Sequence, residues 1–259
     1  MESLQGIEVV RATPAAIRAR RVDDQPGPPI IDVRFSAFGN WYEIDSFFEG
    51  RFLERTARGA FARAINAWAG AKEGKPARAI QVLFNHGADP QIGDKPLGTI
   101  EDLREDDDAA VGVVRLFDTS YNRDLIPGLE AGVYGSSMRM VVTKDEWNDA
   151  PARSEHNPDG IPERTIKEVR LLEFGPVTFP ANPEATAAMR SATDAYYSRL
   201  PERDRPQIRT PEVDGPAPAL RAEGPAQQEP TDQAASHSDG PTPAQRREVL
   251  LNMTLGGSR

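Results

Sequence analysis

The sequence contains no cysteine, and this absence excludes several kinds of site. The chain can form no disulfide framework and no zinc–cysteine site, and it has no cysteine nucleophile. It also has no apolar run that approaches the ~20 residues of a membrane span. Residues 1–6 lack the apolar core of a signal peptide. We therefore expect a soluble protein that crosses no membrane and stays inside the cell that makes it.

Positive charge is in the minority, with 31 lysines and arginines against 40 aspartates and glutamates and a net charge of −9. No basic cluster dominates the sequence, which argues against a general nucleic-acid-binding protein. The short basic run at Arg18, Arg20 and Arg21 lies in a proline-bearing N-terminal segment and is more typical of a solvated tail than of a binding patch. We expect no nucleic-acid partner.

Aromatic residues are absent after Tyr197, and nine prolines follow from Pro201 onward. Such a segment cannot bury enough apolar area to offset the entropy lost on ordering, so it is expected to be disordered. We predict a flexible N-terminal arm over residues 1–28, a folded domain over 29–194 and a disordered, proline-rich tail over 195–259.

The hydrophobic pattern of the central region predicts short strands separated by a few helices. Apolar and polar residues alternate over 31–35, which is typical of a strand. Apolar residues at helical spacing predict an amphipathic helix over 57–71. Further strands are predicted over 80–84, 110–117, 134–143 and 165–174. Further helices are predicted over 121–131 and from the turn at 179–183 up to about 194. This order favours an α+β domain with a largely antiparallel sheet or barrel.

Of the three histidines, only His86 ends an apolar strand. Ile80, Val82 and Phe84 share a strand face with it, because side chains alternate with a period of two. A histidine at the rim of a packed face, beside a Gly/Pro-rich loop, is well placed for acid–base catalysis. By this pattern alone, a structural histidine bonded to a loop carbonyl is the competing interpretation.

A doubled serine begins the predicted strand over 134–143, in the run Gly135-Ser136-Ser137-Met138. If the run is a strand, Ser137 shares a face with Arg139, while Ser136 faces the other way. A serine becomes a nucleophile only when a neighbouring base takes its proton. The run lacks the second glycine of the Gly-x-Ser-x-Gly elbow. A plain strand start after a turn is therefore the alternative.

An acidic residue follows two probable core positions in the strand over 165–174. Val169, Leu171 and Glu173 share one face, and a buried carboxylate is costly without a partner. Glu173 can orient an imidazole, as the acidic residue of a serine-protease triad does. An ordinary salt bridge to a neighbouring Arg or Lys satisfies it equally well.

These motifs, in this order, resemble the prohead serine proteases of tailed phages. The resemblance covers about residues 30–190. It rests on a histidine motif closed by Pro-Leu-Gly, a Gly-x-Ser-Met strand some fifty residues later, and an acidic strand that runs into a Pro-Ala-Asn-Pro turn. An upstream Phe-Leu-Glu-Arg segment also matches. In this sequence the motifs are Leu83–His86 with Pro96–Gly98, Gly135–Met138, Glu173–Pro183 and Phe52–Phe61.

The resemblance implies a fold similar to herpesvirus assemblin, a small, mostly antiparallel β-barrel surrounded by helices. It implies catalysis by Ser137, His86 and Glu173, with no metal and no cofactor. The chain departs from the family pattern where it has Gly175-Pro176 and Arg139-Met140. The register allows Ser136 as an alternative nucleophile, and Glu168 and Asp89 are alternative acidic members. Backbone amides near the nucleophile strand or the neighbouring loop are expected to bind the oxyanion, and Arg139 is a candidate for positioning that loop.

The resemblance also implies the substrates and the place of action. The expected substrates are the major capsid protein or scaffolding protein and the protease itself. Cleavage is expected inside the immature capsid, in the cytoplasm of the bacterial host. Self-association of the protease is also expected. The tail residues 250–255 suit either a short helix that docks the enzyme in the prohead or an inert end. The rival functions are a non-enzymatic capsid-assembly or scaffolding protein and a metal-dependent hydrolase that uses His86, Asp89 and Asp94.

Overall fold

A computed structural model describes residues 7–13, 17–21, 27–74, 79–178 and 190–206. The chain divides into two units, Met1–Thr210 and Pro211–Arg259, and all described residues lie in the first unit. Most of the predicted tail, including the candidate docking helix over 250–255, and the predicted Pro-Ala-Asn-Pro turn lie outside the described residues.

The described residues form eleven strands and three helices. In chain order these are β1 (Glu8–Thr13), β2 (Ile17–Arg20), β3 (Ile30–Ala37), β4 (Tyr42–Ser46), β5 (Gly50–Thr56), α1 (Ala62–Lys72), β6 (Gln81–Val82), β7 (Gly98–Glu105), β8 (Ala109–Leu116), α2 (Ser120–Glu130), β9 (Gly135–Asn148), β10 (Glu163–Val177), β11 (Arg190–Ser191) and α3 (Thr193–Ser198).

A long antiparallel pair, β9 and β10, is the centre of a seven-stranded sheet. The order of this sheet is β11-β1-β9-β10-β5-β4, and β6 also pairs with β10. Strands β5 and β6 run parallel to β10, and the other pairs are antiparallel. The alternation of buried methionines and valines along β9 fits one face of this sheet packing into the core.

The second sheet has four antiparallel strands in the order β2-β3-β8-β7. Aromatic rings join it to the larger sheet: Phe35 of β3 stacks on Phe174 of β10, with ring centroids 4.7 Å apart. Phe61, just before α1, meets Phe35 edge-on at 5.4 Å. Each of these rings is fully buried and stabilises the fold by roughly 1.5–3 kcal/mol.

The structure confirms the predicted α+β class, with mostly strands and few helices, although the two central strands, of 14 and 15 residues, are longer than predicted. The ladders of the described residues form two sheets, and neither closes on itself, so the predicted barrel is not confirmed. Helix α1 begins at Ala62, five residues later than predicted. No helix of the described residues is long and apolar enough to span a membrane.

The ends of the chain differ from the prediction. Strands β1 and β2 lie inside the segment 1–28 that the prolines predicted to be a flexible arm, and the buried Val9, Val10 and Arg11 anchor β1 between β9 and β11. Helix α3 likewise extends past the predicted boundary at 194. Local composition misses both, because long-range strand pairing and packing hold them in place.

A buried ionic network ties β1, β5 and β10 together around Glu54. Arg11 Nε donates to one carboxylate oxygen at 2.6 Å and Arg164 Nη1 to the other at 3.1 Å. The Tyr42 hydroxyl adds a bond of 2.6 Å. Burial alone raises the pKa of Glu54, but the two guanidinium groups outweigh this effect and hold the pKa below its ordinary value. The ionised carboxylate is therefore part of the folded structure.

We expect Glu54→Gln to lower the free energy of unfolding by about 3–5 kcal/mol, because it removes a buried carboxylate that pairs with both Arg11 and Arg164. Of the carboxylates in the described residues, Arg11 then keeps only Glu49, and Arg164 only Asp145. The measurement is urea denaturation at pH 7. Glu43→Gln on the neighbouring β4 is the control, since its pair with Arg51 is about half exposed and worth at most ~1 kcal/mol.

The same substitution has a predicted pH dependence. A lowered pKa means that the ionised Glu54 contributes stability above the ordinary carboxyl value, 4.5, and that this contribution is lost as the pH falls below it. The stability difference between Glu54→Gln and wild type should therefore shrink below about pH 4.5. An unchanged difference in acid would contradict the network's role.

Candidate active site

His86 lies in a short 3-10 turn, Asn85–Gly87, directly after the buried Phe84. Both Asn85 and His86 have left-handed backbone conformations, with φ of 48° and 59°. Such conformations cost energy in non-glycine residues and persist where surrounding contacts impose them. The Asn85 side chain supplies those contacts by donating to Thr178 Oγ1 at 3.1 Å and accepting from Thr178 N at 3.0 Å. The turn thus fixes His86 against the end of β10.

Gly175 allows the histidine turn to lie against the sheet. A Cβ built on Gly175 would lie 2.0 Å from the carbonyl oxygen of Leu83, three residues before His86. Gly175 is also the direct partner of Ser137 in the β9–β10 ladder. The departure from the family pattern at this position therefore has a structural cause, because only glycine admits so close an approach of two backbones.

Gly175→Ala is expected to reduce the activity of the folded protein at least ~100-fold. The clash must push away the backbone that precedes His86, and displacing a catalytic group by 1 Å can lower the reaction rate by about 100-fold. The measurement is the rate of reaction with a fluorophosphonate serine probe, corrected for the folded fraction. Gly98→Ala is the matched control: its Cβ would lie 2.2 Å from the Arg115 carbonyl oxygen, in the other sheet. Equal losses for both variants would show a general folding defect.

Glu173 meets His86 directly. The carboxylate is 1% exposed, and its Oε1 forms a short hydrogen bond with His86 Nδ1. In the arrangement that suits an ionised carboxylate, Nδ1–H donates and Nε2 is left free to accept a proton. Strand β10 carries Glu173 while the 3-10 turn carries His86, so the sheet pairing of β6 with β10 brings the two together.

Ser137 lies on the same face of the sheet as Glu173. The β9–β10 ladder shows this, because Gly175 is opposite Ser137, and Glu173, two residues before Gly175, points to the same face and is opposite Arg139. The Ser137 side chain is fully buried, and its hydroxyl donates to the backbone carbonyl of Arg11 at 3.0 Å. Among the hydrogen bonds of the described residues, none joins Ser137 to His86.

Ser137 and His86 nevertheless border one cavity of about 200 Å³. Its remaining described walls come from β1, from the end of β10, from the loop after the histidine and from the segment around α3. They are Ala12, Asn85, Ala88, Asp89, Pro90, Val177, Thr178, Ala192, Ala195, Tyr196 and Arg199. A serine hydroxyl and an imidazole therefore border one cavity, and the buried Glu173 carboxylate bonds to the imidazole. An arrangement of this kind is compatible with acyl-transfer catalysis.

The alternative residues have other partners. Ser136 faces away from the cavity and donates to the Arg34 carbonyl at 2.7 Å. Glu168 binds Lys144, Arg63 and Thr143, and these contacts, that of Lys144 first, lower its pKa to about 2. Both side chains therefore have hydrogen-bond partners other than His86.

Asp89 caps its own loop by accepting from the backbone amides of Gln91 and Ile92, both at 2.9 Å. Within the described part of the chain, no group of three or more His, Asp or Glu side chains could hold a metal ion. The rival metal site at His86, Asp89 and Asp94 is therefore not formed by these side chains.

The sequence did not predict that two further residues belong to the site. Tyr196 of α3 lines the cavity and lies edge-on to His86, and Asn85 holds the histidine turn. The fact that Asn85 directly precedes His86 was the only available signal for its role. No local pattern connects Tyr196 with His86, because 110 positions separate them.

The model of a protein family described as caudovirus prohead serine protease matches residues 20–198. Among solved structures, the chain is similar to that of the bacteriophage T4 capsid assembly protease, gp21, with 14% sequence identity and a TM-score of 0.37. That similarity covers 67% of this chain and 97% of the other. No curated protein matches the sequence.

Proposed function

The chain belongs to the family of caudovirus prohead serine proteases, and we propose that it is an endopeptidase in which Ser137 is the nucleophile, His86 the general base and Glu173 the group that orients the imidazole. Family membership makes it a protease of phage head maturation. One observation carries the residue assignment: His86 Nδ1 is bonded to the buried Glu173 carboxylate at a cavity that Ser137 also borders.

The first step transfers the serine proton. Ser137 releases the Arg11 carbonyl, turns towards His86 Nε2 and gives up its proton as Oγ bonds to the carbonyl carbon of the substrate. Hydrogen bonds of this kind often form only when substrate is bound, which fits the resting contact with β1. Glu173 keeps Nδ1 protonated and stabilises the imidazolium that results.

The second half releases the two products. The imidazolium protonates the leaving amine as the peptide C–N bond breaks, which leaves an ester between Ser137 Oγ and the acyl part of the substrate. Water then attacks the ester with His86 again as base, and the carboxylic acid leaves. Backbone amides of β9 or of the loop after His86 stabilise the oxyanion, an effect of ~3–4 kcal/mol per donor in another serine protease. No metal or cofactor takes part in these steps.

The proposed substrates are the scaffolding protein or a scaffolding segment of the major capsid protein, together with the protease's own chain. This follows from the family, whose members act in the prohead, and not from any feature of the cavity. The proposed place of action is the interior of the immature capsid, assembled in the bacterial cytoplasm. Self-association within that shell is part of the proposal.

Co-expression with the capsid and scaffolding proteins of the same genome tests the proposal. Mass spectrometry should find new N-termini in these proteins and in the protease, and none when the protease carries Ser137→Ala. A non-enzymatic assembly protein predicts intact chains in both samples. Intact chains together with normal binding to the capsid protein would favour that rival.

A further inference from the structure

Arg139 contacts the carboxylate that orients the histidine. It is the direct partner of Glu173 in the β9–β10 ladder, so both side chains leave the sheet on the same face. Arg139 Nε lies 3.9 Å from Glu173 Oε1, the oxygen that also bonds to His86. One carboxylate oxygen therefore lies between an imidazole and a guanidinium group.

Tyr196 holds Arg139 from the other side. Arg139 Nη1 donates to the Tyr196 hydroxyl oxygen, and the guanidinium carbon lies 5.1 Å from the centroid of the ring. The ring in turn meets His86 edge-on, with centroids 6.1 Å apart. His86, Glu173, Arg139 and Tyr196 thus form a closed circuit of contacts, with one member each from the histidine turn, β10, β9 and α3.

Two buried polar atoms in this circuit form no hydrogen bond with the described residues. Arg139 Nε and Glu173 Oε2 are buried, and neither has a hydrogen-bond partner among the described residues. A buried polar atom left unpaired costs about 1–3 kcal/mol. Arg139 Nε lies 3.9 Å from the other oxygen of the Glu173 carboxylate, so a small side-chain movement would give Nε a hydrogen bond. An ordinary structural ion pair, such as Arg11 with Glu54, already has its short bonds.

Helix α3 is anchored so that Tyr196 stays in the circuit. The Asp194 carboxylate accepts from Ser46 Oγ at 2.6 Å and from Phe47 N at 2.8 Å, and the Tyr197 hydroxyl donates to the Glu8 carbonyl at 2.8 Å. Burial raises the pKa of the Tyr196 hydroxyl, so it stays protonated and neutral at ordinary pH. Arg139 therefore supplies the positive charge of the circuit.

We propose that Arg139 and Tyr196 are positioning residues that hold Glu173 against His86, and that the charge of Arg139 sets the lowest pH at which His86 accepts the serine proton. The inference rests on the proposed function. A lone buried carboxylate favours the imidazolium, which cannot act as a base, and the guanidinium opposes this by neutralising the carboxylate. Other charged or titratable groups also face this region: Glu8 of β1 at 3.6 Å from Arg139, and Asp89 and Arg199 in the cavity wall.

The test is the pH profile of the reaction between the full chain and a fluorophosphonate serine probe. Arg139→Gln should move the acid limb of the profile to higher pH by about one unit, the size expected for loss of a charge at this distance. Arg139→Lys keeps the charge and should leave the limb in place. Arg139→Met is a second neutral variant if Arg139→Gln fails to fold. Tyr196→Phe should lower the plateau rate about 3–10-fold without moving the limb, because it removes one hydrogen bond and no charge.

The results separate this inference from the proposed function. A wild-type protein that never reacts with the probe contradicts the proposed function. If wild type reacts with the probe and the neutral variants have the same acid limb as wild type, the role of Arg139 is overturned. The same holds if Arg139→Lys shifts the limb as far as the neutral variants do. An unchanged plateau in Tyr196→Phe overturns the role of Tyr196. Arg123→Gln, which removes an exposed ion pair with Asp118, is the control and should change neither limb nor plateau.

Discussion

Ser137→Ala should abolish cleavage of the capsid or scaffolding protein and of the protease itself, with a rate loss of roughly 10⁶-fold, the scale found when the serine of another serine protease is removed. The reason is chemical: without Oγ no acyl-enzyme forms, and only weak catalysis by the rest of the site remains. The measurement is product formation in the co-expression system, together with the melting temperature of the purified variant.

Ser136→Ala is a closely matched control for this prediction. Each serine hydroxyl donates one hydrogen bond to a backbone carbonyl, at 3.0 Å for Ser137 and 2.7 Å for Ser136. Each alanine variant should therefore lose about 1 kcal/mol of stability. Only Ser137→Ala should lose activity. The reverse result would place the nucleophile one residue earlier, and full activity in both variants would end the serine-protease interpretation.

Glu173→Gln should reduce turnover by about 10⁴-fold, the loss produced when the triad carboxylate of a serine protease becomes an amide. An amide can donate to Nδ1, so the ring takes the tautomer whose Nε2 carries the proton and cannot act as a base. The melting temperature should change little, since the amide keeps a hydrogen bond to His86 Nδ1, Glu173 Oε2 has no hydrogen-bond partner among the described residues to lose, and Arg139 keeps its ion pair with Glu8. Both quantities are measured on the same protein sample.

Glu54→Gln is the contrasting control for Glu173→Gln. Both carboxylates are buried, but Glu54 binds two arginines and a tyrosine within the core. It should lower the melting temperature and leave the turnover of the folded fraction nearly normal. If Glu173→Gln instead behaves like Glu54→Gln, its carboxylate is a structural ion-pair member and the active site is a Ser–His dyad.

The candidate site was partly predictable because strand geometry is local. Side chains alternate along a strand, so the face shared by Ser137 and Arg139 and the face that carries Glu173 follow from residue spacing alone. The position of His86 at the end of an apolar run also follows from the sequence. What spacing cannot give is the register between β9 and β10, which depends on contacts between residues more than thirty positions apart.

That register, in the tertiary structure, places Gly175 opposite Ser137 and Glu173 opposite Arg139. Gly175 departs from the family pattern, and the structure gives the reason: the Leu83 carbonyl oxygen occupies the space that a side chain at this position would need. In the sequence Arg139 was a candidate for positioning the oxyanion loop, and the structure shows its contacts with the Glu173 carboxylate and Tyr196. Both findings arise because a residue's role depends on what packs against it.

The sequence by itself determined the mixed α+β class and the family and supplied the three candidate catalytic residues, since these depend on residue types and short spacings. Only the tertiary structure decided that β1 belongs to the main sheet, that Ser137 binds the Arg11 carbonyl in the resting state, and that α3 brings Tyr196 to His86. The physical reason is range: side-chain alternation acts over two residues, whereas strand pairing and the burial of Arg11 join segments that composition alone assigns to a flexible arm or tail.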